Sequence, residues 1–158
     1  MALELLEQCT DLHTVVVPIG GGGLISGMAV AIKTAKPDIR LIGVEPEGAA
    51  AMRKSLDAGT PQSISPKTVA DGLAAPMVGA MTLEAARRYV DDVVLVTDDE
   101  ILGALRDLLT YAKLVVEPAG AAGVAALLSG KVAVDRGAKV AAVISGGNID
   151  LDRLKALL

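Results

Sequence analysis

The chain has 158 residues, a formal net charge of −4 and 52% hydrophobic residues, with two Tyr and no Phe or Trp. One domain of that length buries about 70% of its unfolded surface. Negative charge without a basic cluster argues against nucleic acid and anionic membranes as partners, and scarce aromatic rings argue against base stacking.

Ala2 to Cys9 reads as a short amphipathic helix, acidic rather than signal-like. The single Cys9 rules out an intrachain disulfide, cannot build a cysteine metal site and suits a reducing compartment. Thr14 to Ile19 is a β-branched apolar run, the mark of a buried strand. Gly20, Gly21, Gly22 and Gly23 follow, and then Leu24 to Lys36 with Leu24, Ile25, Met28, Ala31 and Ile32 at helical spacing. Arg40 to Glu45 reads as a second buried strand, and Glu47 to Asp57 as a helix stopped by Gly59. Thr60 to Pro76 has no period, and a loop that long in a compact domain is usually functional or disordered. Thr82 to Tyr89 is helical and Asp92 to Val96 extended. Thr97 and Glu100 form a capping box for a helix from Asp98 to Lys113 with an Ile101, Leu102, Leu105, Leu108, Leu109 stripe. Leu114 to Glu117 is extended, and Pro118 opens a small-residue helix to Leu128. Lys139 to Ser145 is a last strand, and Asp150 stands where it would cap a final helix to Leu158.

Strands alternating with helices predict one α/β domain over 1–158, a three-layer, mostly parallel twisted sheet with helices on both faces. Ligands of such sheets bind beyond the carboxyl ends of the strands. The glycine run, Glu45, Glu117 and Ser145-Gly-Gly-Asn148 all fall at such ends. A glycine loop running into a helix N-terminus offers backbone N–H groups and the positive end of the dipole, which suits an anion such as phosphate. The same glycines would also serve a linker or a tight turn without ligand. There is no P-loop Lys-Ser or Lys-Thr, and the spacing is not that of a dinucleotide fingerprint. No apolar run reaches the ~18 residues of a membrane span, so a cytoplasmic protein with a small-molecule ligand is the expectation.

Six stretches, taken in order, resemble the C-terminal half of the pyridoxal-phosphate-dependent serine/threonine dehydratases and serine racemases. They are Pro18-Ile-Gly-Gly-Gly-Gly-Leu24, Gly43-Val-Glu-Pro-Glu47, Thr68-Val-Ala-Asp-Gly-Leu-Ala74, Val96-Thr-Asp-Asp-Glu-Ile101, Val116-Glu-Pro-Ala-Gly-Ala121 and Ser145-Gly-Gly-Asn148. The resemblance implies part of the large domain of the fold type II enzymes, with pyridoxal phosphate as cofactor. It implies that Gly20, Gly21, Gly22, Gly23 and Leu24 hold the cofactor phosphate. It sets Ser145 against the pyridine nitrogen, Glu117 near the cofactor, and Asp71 and Gly72 in a loop beside it. It places a divalent cation on Glu45 and the main-chain carbonyl of Ala49. The family's third ligand is an acid, and that position is Ala51 here.

The lysine that binds the family's cofactor covalently lies in a Ser-x-Lys-x-Arg motif of the N-terminal half. None of the eight lysines here (Lys33, Lys36, Lys54, Lys67, Lys113, Lys131, Lys139 and Lys155) sits in that motif. The loop that grips the substrate carboxylate is absent too. The expectation is a truncated dehydratase that does not dehydrate serine or threonine alone. With the family's other half absent, apolar surface and sheet edges stay uncovered, which predicts a homo-oligomer. Two further readings stand beside this one. A hydrolase of activated short-chain esters would use the glycine loop as oxyanion hole and Ser26 as nucleophile. It has no Gly-x-Ser-x-Gly elbow, and the only histidine, His13, reads as a solvated residue before the first strand. A non-catalytic oligomerising subunit is the other.

Overall fold

The computed structural model describes residues 1–158. Strands β1 (Leu12–Pro18), β2 (Arg40–Pro46), β3 (Asp92–Val96) and β4 (Lys139–Ala142) form one parallel sheet in the order β3-β2-β1-β4. The helices are α1 (Ala2–Gln8), α2 (Gly23–Ala35), α3 (Ala51–Ala58), α4 (Ala80–Tyr89), α5 (Asp98–Asp107), α6 (Pro118–Leu128) and α7 (Leu151–Leu157).

The strands alternate between two apolar cores. Val15, Val17 and Leu41 enter one, which α1 to α4 close with Leu6, Ile25, Ile32, Met52 and Leu83. Val16, Ile42 and Val44 enter the other, closed by Ile101 and Leu105 of α5, Ala122 of α6 and Leu154 of α7. Burying both faces explains why β1 and β2 are continuous apolar runs rather than alternating ones. Each fully buried Ile or Leu contributes about 1.5–3 kcal/mol. The three-layer α/β architecture is the one the sequence pattern predicts.

From β1 the chain winds outward through β2 to β3, then returns to lay β4 on the other side of β1. Strand order therefore reverses between β1 and β4. The crevice beyond their carboxyl ends is where open α/β sheets bind ligands. The glycine loop follows β1 and Ser145-Gly-Gly-Asn148 follows β4, so both face this crevice.

Four boundaries differ from the sequence reading. The expected helix from Glu47 is a 3-10 turn (Glu47–Ala49), a break at Ala50 and then α3. The Glu45 carboxylate takes the amides of Met52 and Arg53, which fixes the helix start there. The helix after Thr97 has the expected capping box but widens to a π segment over Leu108–Ala112. The Leu114 N–H then reaches back 3.1 Å to the Leu108 carbonyl, and Lys113 takes a φ of 59°. β4 ends at Ala142, three residues early, although Val143 still donates to the Val16 carbonyl. There the Gly146 carbonyl turns to accept from Glu117 at 3.2 Å. His13 lies inside β1, not before it.

Candidate functional site

The Ile19 N–H donates to the Val44 carbonyl of β2 at 2.8 Å, which fixes the start of the glycine loop. Gly22, the N-cap of α2, has a φ of 87°, a left-handed conformation that favours glycine. The first backbone hydrogen bond of α2 runs from Ser26 N–H to the Gly22 carbonyl at 3.1 Å. No side chain caps this helix, and the amides of Gly20, Gly21, Gly22, Gly23, Leu24 and Ile25 donate to no backbone carbonyl. Six consecutive free donors at the positive end of a 13-residue helix suit an anion.

The loop is crowded at Gly20 and Gly22 and open at Gly21 and Gly23. A Cβ on Gly20 would stand 3.2 Å from the Gly72 carbonyl, and one on Gly22 would stand 2.8 Å from Met52 Cε and 3.0 Å from Thr82 Cβ. Thr82 Oγ1 lies 3.2 Å from the Gly21 carbonyl and donates to the Gly79 carbonyl at 2.9 Å. A Cβ on Gly21 or Gly23 would meet nothing within 4 Å, and both glycines are exposed. These are the features a phosphate cradle needs.

Gly72 leads from the loop to Glu117. A Cβ on Gly72 would stand 3.2 Å from Glu117 Oε1, and one on Gly146 would overlap the same carboxylate. Glu117 is the half-buried N-cap of α6. A cavity of about 250 Å³ lies between Asp71, Gly72, Glu117, Asn148, Ile149 and Arg153. Ser145 is exposed in the turn beside Gly146. Of the residues expected at a cofactor site, Gly20 meets Gly72, Gly72 meets Glu117 and Ser145 lies next to Gly146 on the same carboxylate, whereas Gly23 and Leu24 line a separate hollow against Met1 to Glu4 at α1.

Three partners of this site were not legible from spacing. Arg153 of α7 donates to Asp71 Oδ2 at 2.7 Å and to the Val69 carbonyl at 3.3 Å. Its guanidinium holds the Asp71 carboxyl below the usual carboxylate range. Asp98 accepts from the Thr68 hydroxyl and from the Val69 N–H at 3.1 Å. Thr82 steadies the glycine loop. Each acts across a long chain separation.

Glu45 stands apart. Its side chain turns into the protein, fully buried, where Oε1 accepts from Met52 N–H at 2.7 Å and Oε2 from Arg53 N–H at 2.8 Å. Burial pushes its carboxyl up to about 7, against the pull of the Arg53 and Met52 amides and the Arg53 charge. Ala49 and Ala51 are buried beside it, and no three His, Cys, Asp or Glu side chains cluster to hold a metal. Hard cations take six or more oxygens. These residues do not fit one.

Ser26 donates its hydroxyl to the Thr82 carbonyl at 3.3 Å. His13 is exposed at the amino end of β1, where its Nδ1 accepts from Lys139 N–H at 3.1 Å. The five residues from His13 to the end of β1 span about 17 Å, so the two side chains form no nucleophile–base pair.

The profile of the family described as "Pyridoxal-phosphate dependent enzyme" matches residues 1–146. An L-threonine ammonia-lyase of Thermotoga maritima is 46% identical over 159 aligned residues, covering 100% of this chain and 39% of the relative. The catabolic L-threonine dehydratase of Escherichia coli is 45% identical, covering 99% of this chain and 48% of its own length. Among solved structures, maize serine racemase superposes with a TM-score of 0.91 at 42% identity, over 98% of this chain and 48% of that one. Serine racemase from Dictyostelium discoideum gives 0.88 at 38% identity, over 95% and 48%. The chain spans about half the length of the curated relatives it matches or less.

Proposed function

The chain belongs to the pyridoxal-phosphate-dependent enzyme family, and we propose that it is a serine/threonine dehydratase-like unit whose glycine loop holds the cofactor phosphate. The observation that carries the reading is the run of six free amides from Gly20 to Ile25, open to solvent at Gly21 and Gly23.

The bound cofactor supplies an electron sink for the charge left when an α-proton departs. The chain's own part is binding and orientation. The amides of Gly20 to Leu24 donate to phosphate oxygens, and Thr82 and Met52 keep the loop from collapsing. Ser145 offers the ring nitrogen a neutral hydroxyl, which does not favour a protonated ring. Glu117 and Gly72 border the same crevice, and Arg153 pins the Asp71 loop against it.

No lysine of these 158 residues stands in the family's Ser-x-Lys-x-Arg motif. The chain by itself therefore has no side chain placed to bind the cofactor covalently or to take the α-proton. Purified chain with pyridoxal phosphate and threonine is expected to release no α-ketobutyrate, and release would overturn this part of the reading. Titration with inorganic phosphate, followed by amide NMR, tests the cradle. The amides of Gly20 to Ile25 are expected to shift together and saturate; unmoved loop amides would refute it.

A further inference from the structure

We infer that Glu45 positions the glycine loop from beneath, through the amino end of α3 and Met52, and that the α3 amides serve this buried carboxylate where a cation would otherwise sit. The ligand readout of this inference rests on the phosphate reading above; its structural readout does not.

The contacts run without a gap. Both Glu45 oxygens are taken by backbone amides, Oε1 by Met52 at 2.7 Å and Oε2 by Arg53 at 2.8 Å. These amides belong to the first turn of α3, where N–H groups have no helical partner and the dipole favours a negative charge. No side chain from the turn before α3 caps the helix, so Glu45 reaches it from the end of β2. The Arg53 guanidinium is directed elsewhere, to the Val93 carbonyl at 3.0 Å and to Asp57 and Asp92. The carboxylate therefore fixes where α3 begins.

Met52 carries that position to the loop. Its side chain is fully buried, and its Cε lies 2.8 Å from where a Cβ on Gly22 would be. Gly22 is the residue whose left-handed φ turns the loop into α2. Val44, next to Glu45 in β2, accepts the Ile19 N–H at the start of the loop. The end of β2 thus grips the glycine loop twice, at its start through the Val44 carbonyl and at its turn through Glu45 and Met52.

The test compares the wild-type chain, Glu45→Gln and Met52→Ala by amide NMR and phosphate titration, each with and without magnesium or calcium chloride. Glutamine keeps one acceptor but turns its NH2 toward a backbone donor, so the grip is lost. Both variants are expected to shift the Gly21, Gly22 and Gly23 amides and to weaken phosphate binding about tenfold, which corresponds to about 1.4 kcal/mol of lost loop order. The wild-type Met52 and Arg53 amides are expected not to respond to either cation. Loop amides that stay in place in a folded variant would overturn the inference, as would a saturable cation-induced shift at Met52 and Arg53. If Glu45→Gln does not fold, Met52→Ala, which leaves the carboxylate and its amides intact, decides. If the wild type binds no phosphate yet both substitutions move the loop amides, the phosphate reading fails and the positioning role stands.

Discussion

Neutral pH should weaken this fold, and Glu45 is the reason. Its carboxyl is pushed from an ordinary 4.5 up to about 7, chiefly by burial. A group whose folded pKa is raised stabilises the fold fully below its unfolded value and loses that contribution as pH climbs to the folded value. The interval from 4.5 to about 7, at about 1.36 kcal/mol per pH unit, amounts to roughly 3 kcal/mol. The carboxyls of Asp71 and Glu100 are lowered by Arg153 and Lys131, so their contributions are lost in acid, below this window. Urea unfolding of the wild-type chain at pH 5 and pH 8 should therefore show a loss of about 2.5 kcal/mol at the higher pH, about 5–10 °C in Tm. Glu45→Gln carries no titrating proton there and should flatten the profile between these values. Equal wild-type stability at the two pH values, or an unchanged slope in the variant, would rule out Glu45 as the source of the pH dependence.

Three further outcomes follow from other parts of the fold. Gly22→Ala should cost about 2 kcal/mol, because it combines a left-handed φ of 87° with crowding by Met52 and Thr82; thermal melting checks it. Thr97→Ala should cost about 1 kcal/mol, since it removes the hydroxyl that accepts the Glu100 N–H at the start of α5. The chain should self-associate, because β4 is an edge strand and Leu3, Met81, Tyr111 and Leu151 are each more than 60% exposed. Light scattering that shows a clean monomer would contradict the last.

What could be read from the residues was set by local physics. The apolar runs at Val15 to Val17 and Leu41 to Val44 announce buried strands, because a strand covered on both faces tolerates no alternation. Thr97 and Glu100 announce a helix start, because both halves of the capping box lie within one turn. The glycine loop is placed by its flanks to within one residue, since α2 begins at Gly23 rather than Leu24. What could not be read was set by distant partners. The break at Ala50 depends on a Glu45 carboxylate arriving from the preceding strand end. The early end of β4 depends on Glu117 taking the Gly146 carbonyl. The attachment of the Asp71 loop depends on Arg153, 82 residues further along. The inward turn of Glu45 could not be read either, because a carboxylate at a strand end points equally well to a crevice or a core until its neighbours are known.

The most direct test of the cradle is titration of the purified chain with pyridoxal phosphate, read by absorbance and by competition with inorganic phosphate, alongside Gly21→Asp. A Cβ at Gly21 meets no atom of the fold within 4 Å, so this variant should melt with the wild type while placing a negative charge at the exposed part of the loop. Saturable binding is expected, competed away by phosphate and abolished by Gly21→Asp. Binding that survives both phosphate and the substitution, or no binding at all, would contradict the cradle.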